Sequence, residues 1–491
     1  MPTPSLIKTC LGSYQVVVSE QGHQSHLVFR VEVPQSTKEL WVEYTYAPTE
    51  EIADERLDQL FSRYQEENNM LHSDRENISS IRNLVTMSLS SHQEYKGSCH
   101  RFESSSVIKV NETKSSPGII SKEIEPGFWD VSFNFHALVT EKIEVHCRIY
   151  AFHKEAVKVQ QPIQIEQVEK QKLTREQIDS KWMKFHKVEL HSHTIHSDAV
   201  HTTEELLQSA KDKELDWLAI TDHNTISAFE DIDGKATVNL IKGVEMTTLF
   251  GHFLTLGYQS NQQPMDWTLI DRSNIHAVFQ QMKKQGLLIG IAHPFDIGSP
   301  YCTGCRWQYV LQSLQYVDFI EVWNSEDPHH TLASEDSIAK WTQLLNSGIE
   351  MAATCGRDWH HSNTTKAPAF LHVRANEAAT EQDILTSVQL GRSYMTIAPL
   401  IDMHVNDGWT IGDRVNKKEV QTLEVQVQLQ NANHVHKVRI ESNLGDILET
   451  GEIDFKSIVS QDQKQQLTWL RVSAFDQEMN RILLTNPIYF E

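Results

Sequence analysis

A short apolar run ends at Leu190 and is followed by His191-Ser-His193, with Asp198 five residues further on. On a strand alternate side chains share a face, so His191 and His193 point the same way and can offer two imidazoles to one metal ion. In a chain with 25 histidines, one such pair carries little weight. Its weight comes from the ends of the later apolar runs. The run Trp217–Thr221 ends in Asp222-His223-Asn224, Val238–Val244 leads into Glu245, and His252 opens the run Phe253–Tyr258. Leu287–Ala292 ends in His293-Pro294, and Ile349–Thr354 ends in Cys355-Gly-Arg-Asp358-Trp-His360. Metal-capable side chains therefore recur where successive apolar runs stop.

The elements that must carry these residues alternate. Helical patterns are expected from Thr203, as cap, through Lys213, and over 274–285, 334–346 and 381–389; Gly286, Gly348 and Gly391 stand just past the last three. Each is preceded or followed by an apolar strand pattern, which predicts a parallel β/α barrel or doubly wound sheet over 182–399. In a β/α barrel the C-terminal strand ends gather at one mouth, so residues far apart in sequence converge there.

The flanks differ. Residues 1–159 read as short alternating strands with Gly/Pro punctuation, predicting an N-terminal β-sandwich. A charged insertion over 50–77 places Leu57, Leu60, Phe61 and Tyr64 at helical spacing, as an amphipathic helix lying on that sandwich would. The polar stretch 160–181 reads as a linker, and 400–491 alternates again as a smaller β domain. The expected fold is α/β plus all-β.

The 491 residues are 39% hydrophobic and 22% charged, as in globular proteins, and need more than one core. No apolar run of about 18 residues suits a membrane span. Met1–Lys8 lacks the pattern of a secretory signal, and six scattered cysteines suit a reducing compartment, so a cytoplasmic location is expected. A net charge of −22 disfavours long nucleic acid as a partner but not a small anionic substrate. A homo-oligomer is compatible with this composition.

The motifs His-Ser-His-Thr with Ser-Asp198, Thr-Asp-His-Asn224, Gly-Val-Glu245, Gly-His-Phe253, Ala-His-Pro294 and Gly-Arg-Asp-Trp-His360 together resemble the PHP (polymerase and histidinol phosphatase) metal-dependent hydrolases. Pro126-Gly-Phe-Trp-Asp-Val131 and Leu484-Thr-Asn-Pro-Ile-Tyr489 resemble more narrowly the CehA/McbA-type branch. The resemblance implies a distorted seven-stranded β/α barrel holding up to three metals. It implies that His191, His193, Glu245 and Asp358 hold one metal. Glu245 would bridge to a second, held also by His252 and His293, and Asp198, His223 and His360 would hold a third. Ala199 and Ala398 stand where that family often has glycine.

Mixed imidazole and carboxylate donors suit two or three divalent ions such as Zn, Mn or Fe. Three carboxylates leave such a cluster positively charged, which suits an anionic substrate and a metal-bridged hydroxide as nucleophile. The expected function is a phosphoesterase on small phosphate esters or nucleotides. A carbamate, ester or amide hydrolase with the same centre is the alternative, and a non-catalytic ligand- or glycan-binding protein is the second. No G-x-S-x-G elbow supports a serine hydrolase.

Asp222, His223 and His360 are the expected catalytic residues, with Asp222 either orienting a ligand histidine or capping a helix. Arg306, Trp323, Asn324 and Arg392 are expected substrate-binding residues, the arginines for phosphate oxygens. Cys302-Thr-Gly-Cys305 reads as loop packing ahead of metal or redox use. His196, His201, His329, His330 and His361 read as solvated loop residues.

Overall fold

Along Lys142–His153 every second side chain is buried, and this alternation builds the N-terminal part of the protein. The computed structural model describes residues 6–68, 75, 78–154, 183–232, 236–296, 305–310, 314–329, 333–361, 367–406 and 408–491. Two four-stranded sheets face each other. One runs Ile7–Ser19, Lys142–His153, Thr37–Ala47, Ser105–Asn111, and the other Ser25–Val33, Gly127–Ala137, Leu84–Ser91, Tyr95–Cys99. All pairings are antiparallel, and the inner faces close on a core that includes Val42, Met87, Trp129, Phe133 and Ile149. The charged insertion forms the helix Asp54–Asn68, which buries Leu57, Leu60 and Phe61 against Ile81 and Val139. The expected linker and the Tyr64 side chain lie outside the described residues.

The middle of the chain is mixed α/β. Strands Met183–Glu189, Trp217–Ile220, Asn239–Thr248, Gly251–Leu256, Leu288–Ile291, Phe319–Asn324 and Ala352–Gly356 pair in sequence order. A parallel bridge from Ser192 to Trp359 ties the end of the seventh back to the first. The expectation of an all-parallel arrangement is corrected. Gly251–Leu256 is antiparallel to both neighbours, because only a two-residue turn, Leu249-Phe250, joins it to the preceding strand. Strand Phe370–Asn376 also runs antiparallel against the outer edge of the first strand.

The helices Thr203–Asp212, Ile275–Lys284, Ala333–Asn346 and Glu381–Gln389 fall where the pattern placed them. The first is capped by Thr202 rather than Thr203, since Thr202 and Glu205 close a reciprocal capping box. Gly286, Gly348 and Gly391 adopt the left-handed conformation that ends a helix.

The C-terminal strands do not stand apart from this sheet. Ser393–Thr396 pairs with Arg481–Thr485, so the sheet continues into Trp469–Phe475, Lys437–Ser442 and Gly445–Thr450. Asn486 lies just past that edge and inserts its amide between strands Ala352–Gly356 and Ser393–Thr396. It donates to the carbonyls of Ala353 (2.9 Å) and Ser393 (3.1 Å) and accepts from the Ala353 N–H (2.7 Å). Strand Ala352–Gly356, which leads to Asp358, is thus held from the C-terminal side.

Candidate metal centre

Glu245, fully buried on Asn239–Thr248, is the hub. Its Oε1 lies 3.1 Å from His252 Nδ1 and 2.9 Å from His293 Nε2, and its Oε2 lies 2.7 Å from His223 Nδ1 and 3.5 Å from both His191 Nε2 and His193 Nε2. Asp358 Oδ1 lies 2.9 Å from His193 Nε2 and 3.3 Å from His191 Nε2. Asp198 Oδ1 lies 3.0 Å from His360 Nε2 and 3.3 Å from His223 Nε2. All nine predicted donors therefore converge.

They form three overlapping groups whose donor atoms lie within 4.8 Å of one another: His191–His193–Glu245–Asp358, His193–Asp198–His223–His360, and His223–Glu245–His252. The expected partners of the second site, His252 and His293, both stand on Oε1 of Glu245, and His223 joins Glu245 and His252 from the other carboxylate oxygen.

The donor atoms fit a cation. His191 Nε2, His193 Nε2, Glu245 Oε2 and Asp358 Oδ1 are each buried without a hydrogen-bond partner among the described residues, and they are the atoms of one group. Lone pairs crowded together away from water repel unless a proton or metal lies between them. The ring nitrogens behind them are already engaged. His191 Nδ1 lies 3.1 Å from Glu321 Oε1, His193 Nδ1 3.3 Å from Ser197 Oγ, and His360 Nδ1 2.6 Å from the Asp358 carbonyl. With Nδ1–H donating rearward, each Nε2 lone pair faces the cluster.

Electrostatics agree. Burial pushes the carboxyls of Glu245, Asp198 and Asp358 up, yet the surrounding histidines outweigh it and hold all three well below the usual range. Burial pulls His293 and His360 down, but Glu245 for one and Asp198 and Asp358 for the other raise both to about 9. His193 falls to about 4 through burial and its neighbours His223 and His360. His293 and Asp358 also have positive φ, 24° and 50°, a strained backbone for any residue but glycine, and here it serves to aim two ligands.

Several expectations are corrected. Asp222 is not among the converging groups and takes the orienting role, one of its two expected readings, in place of a catalytic one. Its carboxylate accepts from Thr194 N–H (2.8 Å), Thr194 Oγ (2.8 Å) and Ser197 Oγ (2.5 Å), so it orients His193 through Ser197. Trp323 packs in the hydrophobic core, and Asn324 donates to Glu321 (2.8 Å). Arg392 pairs with Asp413 at 3.8 Å and Arg306 stacks over Phe295, so both are engaged with other groups than the ligands. His196 and His201 are buried, not solvated. His196 lies between Ser227 and Asp231, and His201 Nε2 donates to the His193 carbonyl (2.7 Å). His361 is exposed and His329 half-buried; His330 and Cys302 lie outside the described residues. Among the described residues Cys10, Cys99, Cys147 and Cys355 form no disulfide.

Two carboxylates escaped the sequence reading. Glu321 sits in the apolar strand Phe319–Asn324, and Glu189 ends Met183–Glu189. Glu189 accepts from the N–H groups of His191 (3.0 Å) and Arg357 (3.2 Å). Burial raises its carboxyl to about 7 against the pull of Arg357. A charged residue inside an otherwise buried strand was the available signal, since such a group must be paired.

The family model of the PHP domain matches residues 189–317. No curated protein matches. Among solved structures, the chain is similar to a two-domain protein from Bacteroides vulgatus containing a predicted PHP-like metal-dependent phosphoesterase, at 15% identity and a TM-score of 0.36, covering 65% of this chain and 100% of that one. It is also similar to an amidohydrolase from Chromobacterium violaceum, at 16% identity and a TM-score of 0.23, covering 35% of this chain and 87% of that one. The match to the PHP domain model thus spans residues 189–317, and the structure brings Asp358 and His360, which lie beyond the matched residues, into the same cluster.

Proposed function

We propose that this protein is a metal-dependent hydrolase acting on small phosphate esters or nucleotides. The observation that carries the reading is the meeting of four buried atoms that make no hydrogen bond among the described residues: His191 Nε2, His193 Nε2, Glu245 Oε2 and Asp358 Oδ1. A barrel holding a dead site has no need of them, because each costs about 1–3 kcal/mol unless a cation satisfies it. On this reading residues 182–399 form the hydrolytic module as a distorted barrel. Residues 1–159 wall its mouth, 160–181 link the two, and 400–491 brace it from behind.

Bound divalent ions, Zn, Mn or Fe by donor type, would supply Lewis acidity and a water acidic enough to ionise near neutral pH. The chain's own residues set the conditions for that chemistry. Glu321, Ser197 and the Asp358 carbonyl fix the tautomers of His191, His193 and His360. Asp222 and Glu189 hold the loops that carry the ligands. Burial of His191, His193, His223, Glu245, His252 and His293 strengthens each charge interaction there. Three carboxylates against two or more divalent ions leave a positive surplus, which favours an anionic substrate.

The narrower CehA/McbA-type assignment, with a carbamate as substrate, is the competing outcome of one assay. Metal-loaded protein is given nitrophenyl phosphate, bis-nitrophenyl phosphate and an aryl carbamate, with Asp358→Ala as control. Phosphoester turnover that Asp358→Ala abolishes supports the proposal. Turnover of the carbamate alone overturns it.

A further inference from the structure

His100 stands just past the strand Tyr95–Cys99 of the N-terminal sandwich, yet its ring lies 4.3 Å from that of His223, tilted by 39°. It is 4% exposed. Asp198, Glu245 and His252 are its other titratable neighbours on the barrel side, and His136 is its neighbour on the sandwich side, with ring centroids 5.1 Å apart. His100 belongs to none of the three ligand groups. Its Nδ1 is buried and has no hydrogen-bond partner among the described residues. A polar atom of this kind costs about 1–3 kcal/mol when left alone, so its position beside the cluster calls for a partner that arrives from outside.

The placement is built, not incidental. Tyr95 donates its hydroxyl to the carbonyl of Asn224, the residue after His223, at 3.1 Å. The Gly118 N–H donates to Ser227 Oγ at 3.1 Å, and a Cβ at Gly118 would meet the Ser98 carbonyl at 2.3 Å and the His196 carbonyl at 3.1 Å. Only glycine allows that approach. Trp267 of the barrel donates to Ser88 of the sandwich at 3.0 Å. These contacts hold the end of Tyr95–Cys99 against the loops that carry His193, Asp198 and His223.

We propose that His100 is a substrate-contacting residue supplied by the N-terminal sandwich, its free ring nitrogen hydrogen-bonding an oxygen of an oxyanion held at the metal centre. The inference rests on the phosphoester reading and extends it. It gives the sandwich a role in the reaction and makes specificity depend on the seam between the two parts of the chain.

The test separates the nitrogen from the ring. His100→Phe keeps a ring against His223 and removes both nitrogens, while His100→Asn keeps an amide near the position of Nδ1. Each variant and wild type are loaded with manganese, assayed for bound metal by elemental analysis, and titrated calorimetrically with inorganic phosphate. The expected result is unchanged metal content in all three, phosphate binding weakened on the order of ten-fold in His100→Phe, and recovery in His100→Asn. The KM for bis-nitrophenyl phosphate should change in the same order. Phosphate affinity retained by His100→Phe would overturn the inference, since packing alone would then account for His100. Metal lost from His100→Phe would also overturn it, by making His100 a ligand. If wild type binds no phosphate and cleaves only the carbamate, the phosphoester reading falls instead, and His100 is judged by the carbamate KM of the same variants.

Discussion

Glu321 places its carboxylate 3.1 Å from Nδ1 of His191, on the nitrogen opposite the one that faces Asp358 and Glu245. The other oxygen of Glu321 accepts from the N–H of His293 at 3.1 Å. One buried carboxylate thus orients a ring at the end of the first strand and the backbone of a ligand at the end of the fifth. Glu321→Gln is expected to weaken metal binding by about 10–100-fold while the protein stays folded, because the amide can present its N–H to Nδ1 and favour the wrong tautomer. Equilibrium dialysis against buffered zinc checks this, and an unchanged affinity would show that His191 needs no such support.

Metal binding should release protons. In the metal-free protein the carboxylates overcome burial and hold His293 and His360 at about 9, so both rings are charged at pH 7.5. A metal ligand must be the neutral ring, so apparent affinity should rise with pH and level off above about 9. The sign for stability is opposite. These raised values stabilise the metal-free fold fully below the unfolded histidine pKa near 6.5, and that contribution is lost as pH rises through 9. Calorimetry of metal binding in buffers of differing ionisation enthalpy measures the protons released at pH 7.5. A count of zero contradicts the assignment.

The clamp from the C-terminal strands should matter at the metal centre. Asn486 satisfies both backbone groups of Ala353 and the carbonyl of Ser393, all buried. Asn486→Ala leaves several of these groups unpaired and is expected to cost about 2–4 kcal/mol in urea unfolding. Metal affinity should fall with it, because the clamped strand leads directly to Asp358. Loss of stability with undiminished metal binding would confine Asn486 to a scaffold role.

A buried ion pair fastens the same strands to the helix Ala333–Asn346. Glu441 accepts from Arg471 (2.6 Å) and Arg481 (2.7 Å), and Arg471 also donates to Thr342 at 3.0 Å. Burial raises the Glu441 carboxyl, but the two arginines outweigh it and bring it to about 2. A depressed carboxylate stabilises the fold above its unfolded pKa near 4.5, and this is lost as pH falls toward 2. Glu441→Gln should therefore lower stability by about 3 kcal/mol at pH 7 and flatten the acid limb of the profile. Chemical unfolding of both proteins at pH 7 and pH 3 decides it.

The converging candidate ligands were legible because each stands where an apolar run stops, and strand ends are what the fold brings together. The helices were legible through their glycine stops. What sequence could not show was the supporting layer. Glu321 reads as one polar residue among Phe319, Ile320 and Val322, and only the pairing with His191 gives it meaning. His100 lies in a different part of the chain, with no pattern linking it to His223. Trp323 and Arg392 also stand near strand ends, but burial in the core took one and Asp413 the other. The position after a strand brings a residue to the shared end of the sheet without deciding which way its side chain turns.

The central claim is that the nine converging residues form a multinuclear metal centre. Elemental analysis of protein loaded with excess manganese or zinc and then desalted tests it most directly, with Glu245→Gln alongside. Two or more divalent ions per chain in wild type, and a clear loss in Glu245→Gln because Glu245 is shared between groups, is the predicted result. Fewer than two ions in wild type, or full occupancy without the Glu245 carboxylate, would contradict it.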